Sequence, residues 1–201
     1  TNDIFDTRVK SSKNQIRSVS TLFWSNSNKR ISLLLEHENE NFKQEGPIND
    51  YGIYGIFDPN QQRTRKTDSA SIEYRTKLDQ GSIFAVSSRY DKNSQFKNGT
   101  TARAELILPL SKLLKLRGSY GTAIKNPTFT ERFGYYTNFI GNPDLQPEYS
   151  KNLELGFDFD LQNYNTIFSA TLFKSRLVEE INGNFLDPVT FGYTAINLEG
   201  K

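Results

Sequence analysis

Apolar and polar residues alternate with a period of two along much of the chain. The cleanest example covers residues 152–161, where five large apolar side chains occupy the odd positions and three carboxylates lie among the even ones. Because successive side chains of a β-strand point to opposite faces, the pattern predicts strands with one apolar face and one polar, often charged face. About nine segments are predicted as strands: residues 15–24, 30–41, 64–78, 82–91, 101–110, 115–122, 150–161, 166–180 and 192–198.

The connections between these predicted strands alternate in length. Short connections are predicted at residues 25–29, 79–81, 111–114 and 162–165, and long ones at residues 42–63, 92–100, 123–149 and 181–191. A membrane β-barrel has short turns at one rim and long loops at the other, and its strands need about 9–11 residues to cross the bilayer. Alternation alone is compatible with a soluble sandwich too, so it is the loop rhythm and the strand length that favour an antiparallel transmembrane β-barrel.

The number of predicted strands indicates that the barrel is incomplete. Bacterial barrels contain an even number of strands in one chain, and an open sheet edge inside a membrane would leave backbone groups unpaired. The sequence has no methionine and starts without an apolar run that could serve as a signal peptide. We therefore expect the 201 residues to be a segment of a larger or processed polypeptide.

Composition and charge narrow the possible functions. Hydrophobic residues make up 35% of the chain and the mean hydropathy is −0.63, which keeps a soluble all-β ligand- or carbohydrate-binding module open as an alternative. A net charge of +2 without a basic run gives no reason to expect nucleic acid as a partner. The absence of cysteine excludes disulfides and thiolate metal sites. No apolar stretch approaches the roughly 18 residues of a membrane helix, which excludes only helical spanning.

Two spaced motifs carry the most specific signal in the sequence. They read "LRGSYGTAIKNPTFTERFG" at residues 116–134 and "GNPDLQPEYSKNLELGFDF" at residues 141–159. Proline restricts the residue before it to extended conformations, and the Gly-Asn pair at the start of the second motif suits a turn. The second motif is thus expected to direct a long loop back into a strand, as scaffold rather than as a ligand site.

Together the two motifs resemble the TonB-dependent outer-membrane receptors, of the siderophore and cobalamin receptor type. The resemblance covers the C-terminal half of the β-barrel, without the plug domain, and extends into "TLFKSRLVEEIN" and "TAINLEGK" further along the chain. Ile124 departs from the family pattern, which commonly has an aromatic residue at that position.

The resemblance implies a 22-stranded barrel in the bacterial outer membrane, with a plug domain inside it. It implies import of a scarce solute, such as a ferric siderophore, cobalamin, haem or a glycan. Energy would come from an inner-membrane TonB complex that pulls on an N-terminal box. The plug, the box and the terminal strands are expected to be missing here, so residues 1–201 would form a partial barrel with lipid, the plug and the cargo as partners.

Two groups of residues are candidate site residues under this interpretation. Charged side chains on the polar faces of the strands are expected to face the lumen and the plug: Glu73, Arg75, Lys77, Arg103, Glu105, Arg117, Glu154 and Asp158. Aromatic side chains in two predicted outer loops could stack on a flat or apolar cargo or pack the loops against each other: Tyr51, Tyr54, Phe57, Tyr135, Tyr136 and Phe139.

Neither a catalytic set nor a metal site is predicted. Asp50 and Asp58 lie in a loop without a D-x-D-x-D run and are interpreted as solvated carboxylates rather than Ca²⁺ ligands. His37 is the only histidine and shares its predicted face with leucines, which favours an exposed or interfacial histidine. No Ser–His–Asp or Cys–His set can be assembled, so we expect a protein that is not an enzyme and needs no cofactor.

Overall fold

The computed structural model describes residues 7–26, 28–50, 52, 56–136, 139–161, 165–188 and 192–198. Most of these residues belong to β-strands, and the described residues also include the short helix α1 (Phe129–Phe133) and a 3-10 turn at Asp79–Gly81. The strands are β1 (Arg8–Trp24), β2 (Lys29–Glu45), β3 (Asn49–Asp50), β4 (Ile56–Phe57), β5 (Gln61–Lys77), β6 (Ile83–Asn93), β7 (Gly99–Pro109), β8 (Leu114–Lys125), β9 (Tyr135–Tyr136), β10 (Phe139–Ile140), β11 (Glu148–Leu161), β12 (Thr166–Val178), β13 (Glu180–Leu186) and β14 (Tyr193–Leu198).

Eight long strands form the main sheet. Their order is β1-β2-β5-β6-β7-β8-β11-β12, and every neighbouring pair is antiparallel. Within the described residues no ladder joins β12 to β1, so this sheet keeps two free edges. The prediction of an all-β antiparallel fold is confirmed, and eight of the nine predicted strands lie in the main sheet.

The ninth predicted strand, residues 192–198, does not extend the main sheet. It forms β14, which belongs to a separate four-stranded sheet of order β13-β14-β10-β9. The predicted loop at residues 181–191 also contains β13. The physical reason is local packing, because Ala195 of β14 is fully buried with Phe139, Leu145 and Ile181 in a small hydrophobic core.

The two ends of the main sheet differ in their connections. At one end, the turn end, the strands are joined by short segments at residues 25–28, 78–82 and 110–113. Ser25, Asn26 and Gln80 take positive φ angles there, a conformation that Asn tolerates in tight turns. The other end, the loop end, carries the segments with β3, β4, β9, β10 and α1. The connections at residues 46–60 and 126–147 are long, as predicted, whereas the predicted long connection at residues 92–100 is reduced to residues 94–98 because β6 and β7 extend into it.

Strand pairing separates the side chains of the main sheet into two faces. The polar face carries the even-numbered residues of β2 and β11 and the odd-numbered residues of the other six strands. The apolar face carries the rest, and its large side chains are strongly exposed: Leu155 keeps 59% of its surface and Leu172 keeps 79%. A continuous exposed apolar surface of this kind indicates a face that is covered by something other than water.

No helix in the described part of the chain is long and apolar enough to cross a membrane.

Candidate functional site

The eight charged residues predicted to face the lumen all lie on the polar face. One row of the sheet pairs Arg75 with Ala85, Ala85 with Glu105, Glu105 with Ser119 and Ser119 with Glu154. The adjacent row on the loop-end side contains Glu73 and Arg103, and the rows on the turn-end side contain Lys77, Arg117 and Asp158. The structure therefore brings these residues together as a continuous charged wall.

Opposite charges on this wall neutralise each other in part. Arg103 Nε lies 2.5 Å from Glu105 Oε1, and Arg30 Nη2 lies 2.9 Å from Glu73 Oε1. Ser119 donates a hydrogen bond of 3.2 Å to Glu154. Arg75 and Lys77 make no ion pair with any residue that the structure describes. These two cations are thus available to a partner on the polar side of the sheet.

Gly156, within the second motif, creates the space that Arg117 needs. The Arg117 guanidinium reaches across β11, where Nη2 lies 3.1 Å from Asp158 Oδ1 and donates to Thr171 Oγ1 at 3.4 Å. A Cβ added at Gly156 would lie 3.1 Å from that Nη2 and 3.0 Å from Thr171 Oγ1. A side chain at this position would therefore push the guanidinium away from its partners.

A second charged group on the polar face was not selected from the sequence. Glu36, whose side chain is only 5% exposed, lies 2.7 Å from Arg17 Nη2 and 2.9 Å from Arg89 Nη2. Arg89 also contacts Asp91 at 2.8 Å and donates to Ser69. The group borders a cavity of about 250 Å³. The signal was present in "EHENE", where Glu36, Glu38 and Glu40 recur with period two on one face.

Helix α1 begins at a capping box inside the first motif. Glu131 N donates to Thr128 Oγ1 at 3.1 Å, and Thr128 N donates to the Glu131 carboxylate at 2.7 Å. These reciprocal bonds satisfy two backbone donors that a helix start leaves free. The short helix then presents its aromatic and basic side chains to the loop end of the main sheet.

Arginines and aromatic rings pack together at the loop end. The Arg65 guanidinium lies 4.8 Å from the centre of the Phe129 ring, and the Arg132 guanidinium lies 4.7 Å from the Phe96 ring and 4.8 Å from the Phe133 ring. Cation–π contacts of this kind are attractive, more so when they are shielded from water. Burial and the nearby charge of Arg65 lower the pKa of Arg132, which stays protonated at physiological pH because arginine titrates far above it.

The two motifs are tied to each other through the same cluster. Arg132 Nε donates to the Pro143 carbonyl at 2.9 Å, and its Nη1 donates to Gln95 Oε1 at 2.9 Å. Gly141 N donates to the Gly134 carbonyl at 2.8 Å. A Cβ at Gly141 would lie 2.5 Å from backbone atoms of Arg132 and Phe133, so only glycine fits there.

The second motif is also bonded to the small loop sheet. Asn142 Nδ2 donates to the Ala195 carbonyl at 2.9 Å. Gln146 N donates to Asn197 Oδ1 at 2.8 Å, and Asn197 Nδ2 donates back to the Gln146 carbonyl at 2.9 Å. These hydrogen bonds hold the loop in place, which agrees with the prediction that the motif is a scaffold.

The aromatic loop candidates have different outcomes. Phe139 is 7% exposed and packs inside the small core, so its ring is not presented to a solute in this arrangement. Tyr51 and Tyr54 lie outside the described residues, and of Phe57, Tyr135 and Tyr136 the structure describes only the backbone, in β4 and β9. Contact of these five residues with a cargo stays a prediction.

The remaining candidates have ordinary local partners. His37 Nδ1 lies 2.6 Å from Asp68 Oδ1 on the apolar face, near the loop end. Asp50 accepts a hydrogen bond from Gly52 N at 2.8 Å, and Asp58 accepts one from Asn60 N at 2.9 Å. Among the described residues no cluster of three or more His, Cys, Asp or Glu side chains could hold a metal ion.

A family model described as "TonB dependent receptor-like, beta-barrel" matches residues 4–201. The chain belongs to this family. The family assignment confirms the resemblance drawn from the two motifs, and the antiparallel sheet has the form of a segment of a TonB-dependent receptor barrel. TonB-dependent receptors are transporters, so the prediction that the chain does not belong to an enzyme is confirmed.

Solved structures of TonB-dependent receptors and related transporters share the fold at low sequence identity. The siderophore receptor PirA from Acinetobacter baumannii is 19% identical with a TM-score of 0.72, over 96% of this chain and 33% of PirA. A variant of the ferric enterobactin receptor PfeA from Pseudomonas aeruginosa is 14% identical with a TM-score of 0.75, over 96% of this chain and 32% of PfeA. The copper transporter OprC is 12% identical with a TM-score of 0.70, over 96% of this chain and 34% of OprC. The TonB-dependent receptor barrel segment described here spans about a third of the length of these proteins.

Proposed function

We propose that the chain forms part of the barrel wall of an outer-membrane TonB-dependent receptor that imports a ferric siderophore. The observation that carries this proposal is the separation of faces in the main sheet. The apolar face exposes large apolar side chains along all eight strands, whereas the polar face of the six inner strands holds charged side chains, many of them paired. The two edge strands β1 and β12 also expose apolar side chains on the polar face, such as Phe23 and Phe173. Lipid on one side and a hydrated interior on the other would satisfy both surfaces.

The polar face is the side that would contact a plug domain. Arg75 and Lys77 have no ion-pair partner among the residues described, and they lie between the Arg30–Glu73 pair and the Arg103–Glu105 pair. Carboxylates of a plug would pair with these cations, while Arg30, Arg103 and Arg117 of the same face already have carboxylate partners. The plug and the N-terminal TonB box would be supplied by the rest of the intact receptor.

A ferric siderophore is the favoured cargo because, among the structural neighbours, PirA is described as a siderophore receptor and PfeA as a ferric enterobactin receptor. The loop end supports a role in binding a large solute. Its Arg–aromatic cluster holds the segment from α1 to β11 in a defined position above the polar face. Cobalamin, haem and a glycan remain competing cargoes for the experiment to separate.

Growth rescue tests this proposal directly. The intact receptor is expressed in a bacterial strain that lacks its own siderophore receptors, with iron supplied only as a ferric catecholate siderophore. We expect growth in a strain with a functional TonB complex and none in a matched strain without it. Parallel cultures receive haem as the iron source, cobalamin in a cobalamin-requiring strain, or a glycan as the carbon source.

The results separate the parts of the proposal. Rescue by a different cargo would refute the siderophore assignment and leave the receptor role intact. Rescue that does not depend on TonB would refute energised import. Recovery of the protein in the soluble fraction without detergent would refute the barrel and favour the soluble binding module.

A further inference from the structure

Two Asn-Gly dipeptides occur in the chain, Asn98–Gly99 and Asn182–Gly183. Asparagine is a thermolabile residue, because the backbone nitrogen of the next residue can attack its side-chain amide. A following glycine has no Cβ to hinder that attack. In sequence the two dipeptides are equivalent, but the structure gives them different surroundings.

The Asn182–Gly183 dipeptide lies at an irregularity in the small loop sheet. Where β13 pairs with β14, Asn182 is opposite Ile196 and Phe185 is opposite Thr194, so the register shifts between the two pairs. A bulge of this kind disrupts the ladder locally. Asn182 is exposed, and a Cβ added at Gly183 would have no atom within 4 Å. This open space allows the Asn182 side chain to approach the Gly183 nitrogen.

A hydrogen bond at the same place activates the Asn182 amide. Asn184 N donates to Asn182 Oδ1 at 2.9 Å. Attack on the Asn182 Cγ atom would place negative charge on this oxygen, and a fixed N–H donor stabilises an oxyanion as it forms. The bond also folds the side chain back over the Gly183 peptide, which holds the reacting atoms near each other.

The Asn98–Gly99 dipeptide is packed instead. Gly99 is buried and pairs with Asp91 as the first residue of β7. A Cβ added at Gly99 would clash with Ile124 Cδ1, so this glycine lies directly against a side chain. A reaction at Asn98 requires the end of the β6–β7 hairpin to open first, and local opening of a packed strand costs free energy.

From this difference we infer that Asn182 is a site of spontaneous deamidation, which loosens the hairpin of β13 and β14. The Gly183 nitrogen loses its proton and forms a bond to Asn182 Cγ, while the side-chain amide nitrogen gains a proton and leaves as ammonia. Water then opens the succinimide ring at either carbonyl, which gives aspartate or isoaspartate. The net change consumes one water and releases one ammonia, without an oxidant or a reductant.

Isoaspartate at residue 182 would change the packing of the hairpin. It adds a carbon atom to the backbone and a negative charge next to Ile181, which is buried with Ala195 in the small core. The Ala195 carbonyl accepts the hydrogen bond from Asn142 Nδ2. Displacement of β13 would therefore reach the second motif, and we expect proteolytic cleavage within β13 to increase as isoaspartate accumulates.

The test follows the intact receptor during incubation in mildly alkaline buffer, at a temperature at which the barrel stays folded. Peptide mass spectrometry measures the deamidated fraction of each dipeptide, and electron-transfer fragmentation distinguishes isoaspartate from aspartate. We expect Asn182 to react at least about tenfold faster than Asn98, because the buried dipeptide reacts only after local opening. In the heat-unfolded receptor, where neither dipeptide is packed, the two rates should be similar.

Two variants locate the reaction. Gly183→Ala places a methyl group beside the attacking nitrogen, in a position with room for it. We expect this variant to lose most of the deamidation at Asn182 while Asn98 keeps its native rate. Asn182→Gln keeps the amide but would have to close a larger ring, so it should show neither deamidation nor age-dependent cleavage within β13.

Each alternative result overturns the inference. Equal rates for the two dipeptides in the folded receptor, an unchanged rate in Gly183→Ala, or aspartate without isoaspartate would each exclude a favoured succinimide at Asn182. Cleavage within β13 that does not follow isoaspartate, or that also increases in Asn182→Gln, would show that deamidation does not loosen the hairpin. The comparison of folded with unfolded native receptor needs no variant. The chemistry needs neither the cargo nor the membrane, so its failure would leave the proposed function intact.

Discussion

Gly156 is a residue of the second motif at which the neighbouring Arg117 side chain favours glycine. The Arg117 guanidinium crosses β11 at this position to reach Asp158, and the two nearest polar atoms would lie 3.0–3.1 Å from an added Cβ. Gly118, on the opposite face, offers a comparison, because a Cβ there would meet Leu155 Cδ2 at an ordinary 3.7 Å.

We expect Gly156→Ala to destabilise the barrel by about 1–3 kcal/mol, the usual cost of overpacking a filled site. The measurement is the temperature at which the intact receptor loses its compact mobility on a denaturing gel, which should fall relative to the native protein. The control Gly118→Ala should leave that temperature nearly unchanged. Equal temperatures for the two variants would show that Arg117 does not need the space.

Glu36 is a buried carboxylate on the polar face of the main sheet, and it has two cationic partners, Arg17 and Arg89. Replacing it by glutamine would leave Arg17 and Arg89 close to each other without the negative charge that holds them. We expect Glu36→Gln to reduce the free energy of unfolding by about 1.5–3 kcal/mol, the range for hydrogen bonds to charged groups.

The matched control is Glu38→Gln, whose partner Lys13 is largely exposed. Exposed pairs contribute about 1 kcal/mol or less, so this variant should unfold at nearly the native urea concentration. Urea titration of the intact receptor, followed by tryptophan fluorescence and gel mobility, compares the two. A larger loss for Glu38→Gln would contradict the role given to Glu36.

Strand identity could be predicted from hydrophobic alternation more readily than sheet membership. The strands of the main sheet match predicted segments because most of them have one apolar and one polar face; β12 is the weakest case, since Ile167 and Phe173 lie on its polar face. Residues 192–198 alternate in the same way, yet β14 joins the loop sheet because Ala195 packs against Leu145 and Phe139. Alternation specifies two faces, but it carries no information about which surface covers the apolar one.

Strand ends were also hard to predict for a physical reason. β1 begins at Arg8 and β2 continues to Glu45, well past the apolar stretches of both strands. Pairing there is stabilised by the backbone ladder and by cross-strand charges such as Lys13–Glu38. A sequence pattern based on apolar residues ends where the apolar band ends, although β1 and β2 continue beyond it.

The loop between β8 and β11 depends on Gly141. Because a Cβ there would lie 2.5 Å from the backbone of Arg132 and Phe133, we expect Gly141→Ala to release the loop from helix α1 while the main sheet stays folded. Limited proteolysis of the intact receptor should then show a new cleavage within residues 126–147, and uptake of the ferric siderophore should fall.

Gly183→Ala provides the control, since a Cβ at that glycine would have no atom within 4 Å. This variant should keep the native proteolysis pattern and native uptake. Loop protection that survives Gly141→Ala would contradict the close packing of the two motifs.

At the scale of the whole molecule, the separation of charged and apolar side chains onto two faces explains why composition alone does not distinguish this chain from a soluble protein. The net charge is +2, close to neutral. In the main sheet most carboxylates lie on the polar face, many of them with cationic partners, while the apolar face combines hydrocarbon with exposed cations near the loop end, such as Lys151 and Lys174. Mean hydropathy and net charge average over these surfaces and so resemble those of a soluble protein.

The pairing and register of the strands, by contrast, could not be predicted from the amino-acid composition. The eight candidate residues of the polar wall were predicted from alternation within single strands, and their common face emerges only when the register of seven ladders is known. Glu36 and Arg89 were missed because their partners lie on other strands, far away in sequence.

The proposed function requires that one face of the main sheet contacts lipid and that the other does not. Because the chain contains no cysteine, residues 152–155 and 157–159 of β11 can each be replaced by cysteine in turn in the intact receptor, with any cysteine elsewhere removed. Each variant is spin-labelled and reconstituted in bilayers, and the collision rates of the label with oxygen and with a water-soluble nickel complex are measured. We predict a period of two, with labels at Leu153, Leu155, Phe157 and Phe159 accessible to oxygen in the lipid and those at the alternate positions shielded from it. Collision rates without that period, or with high nickel accessibility at the four apolar positions, would contradict the account.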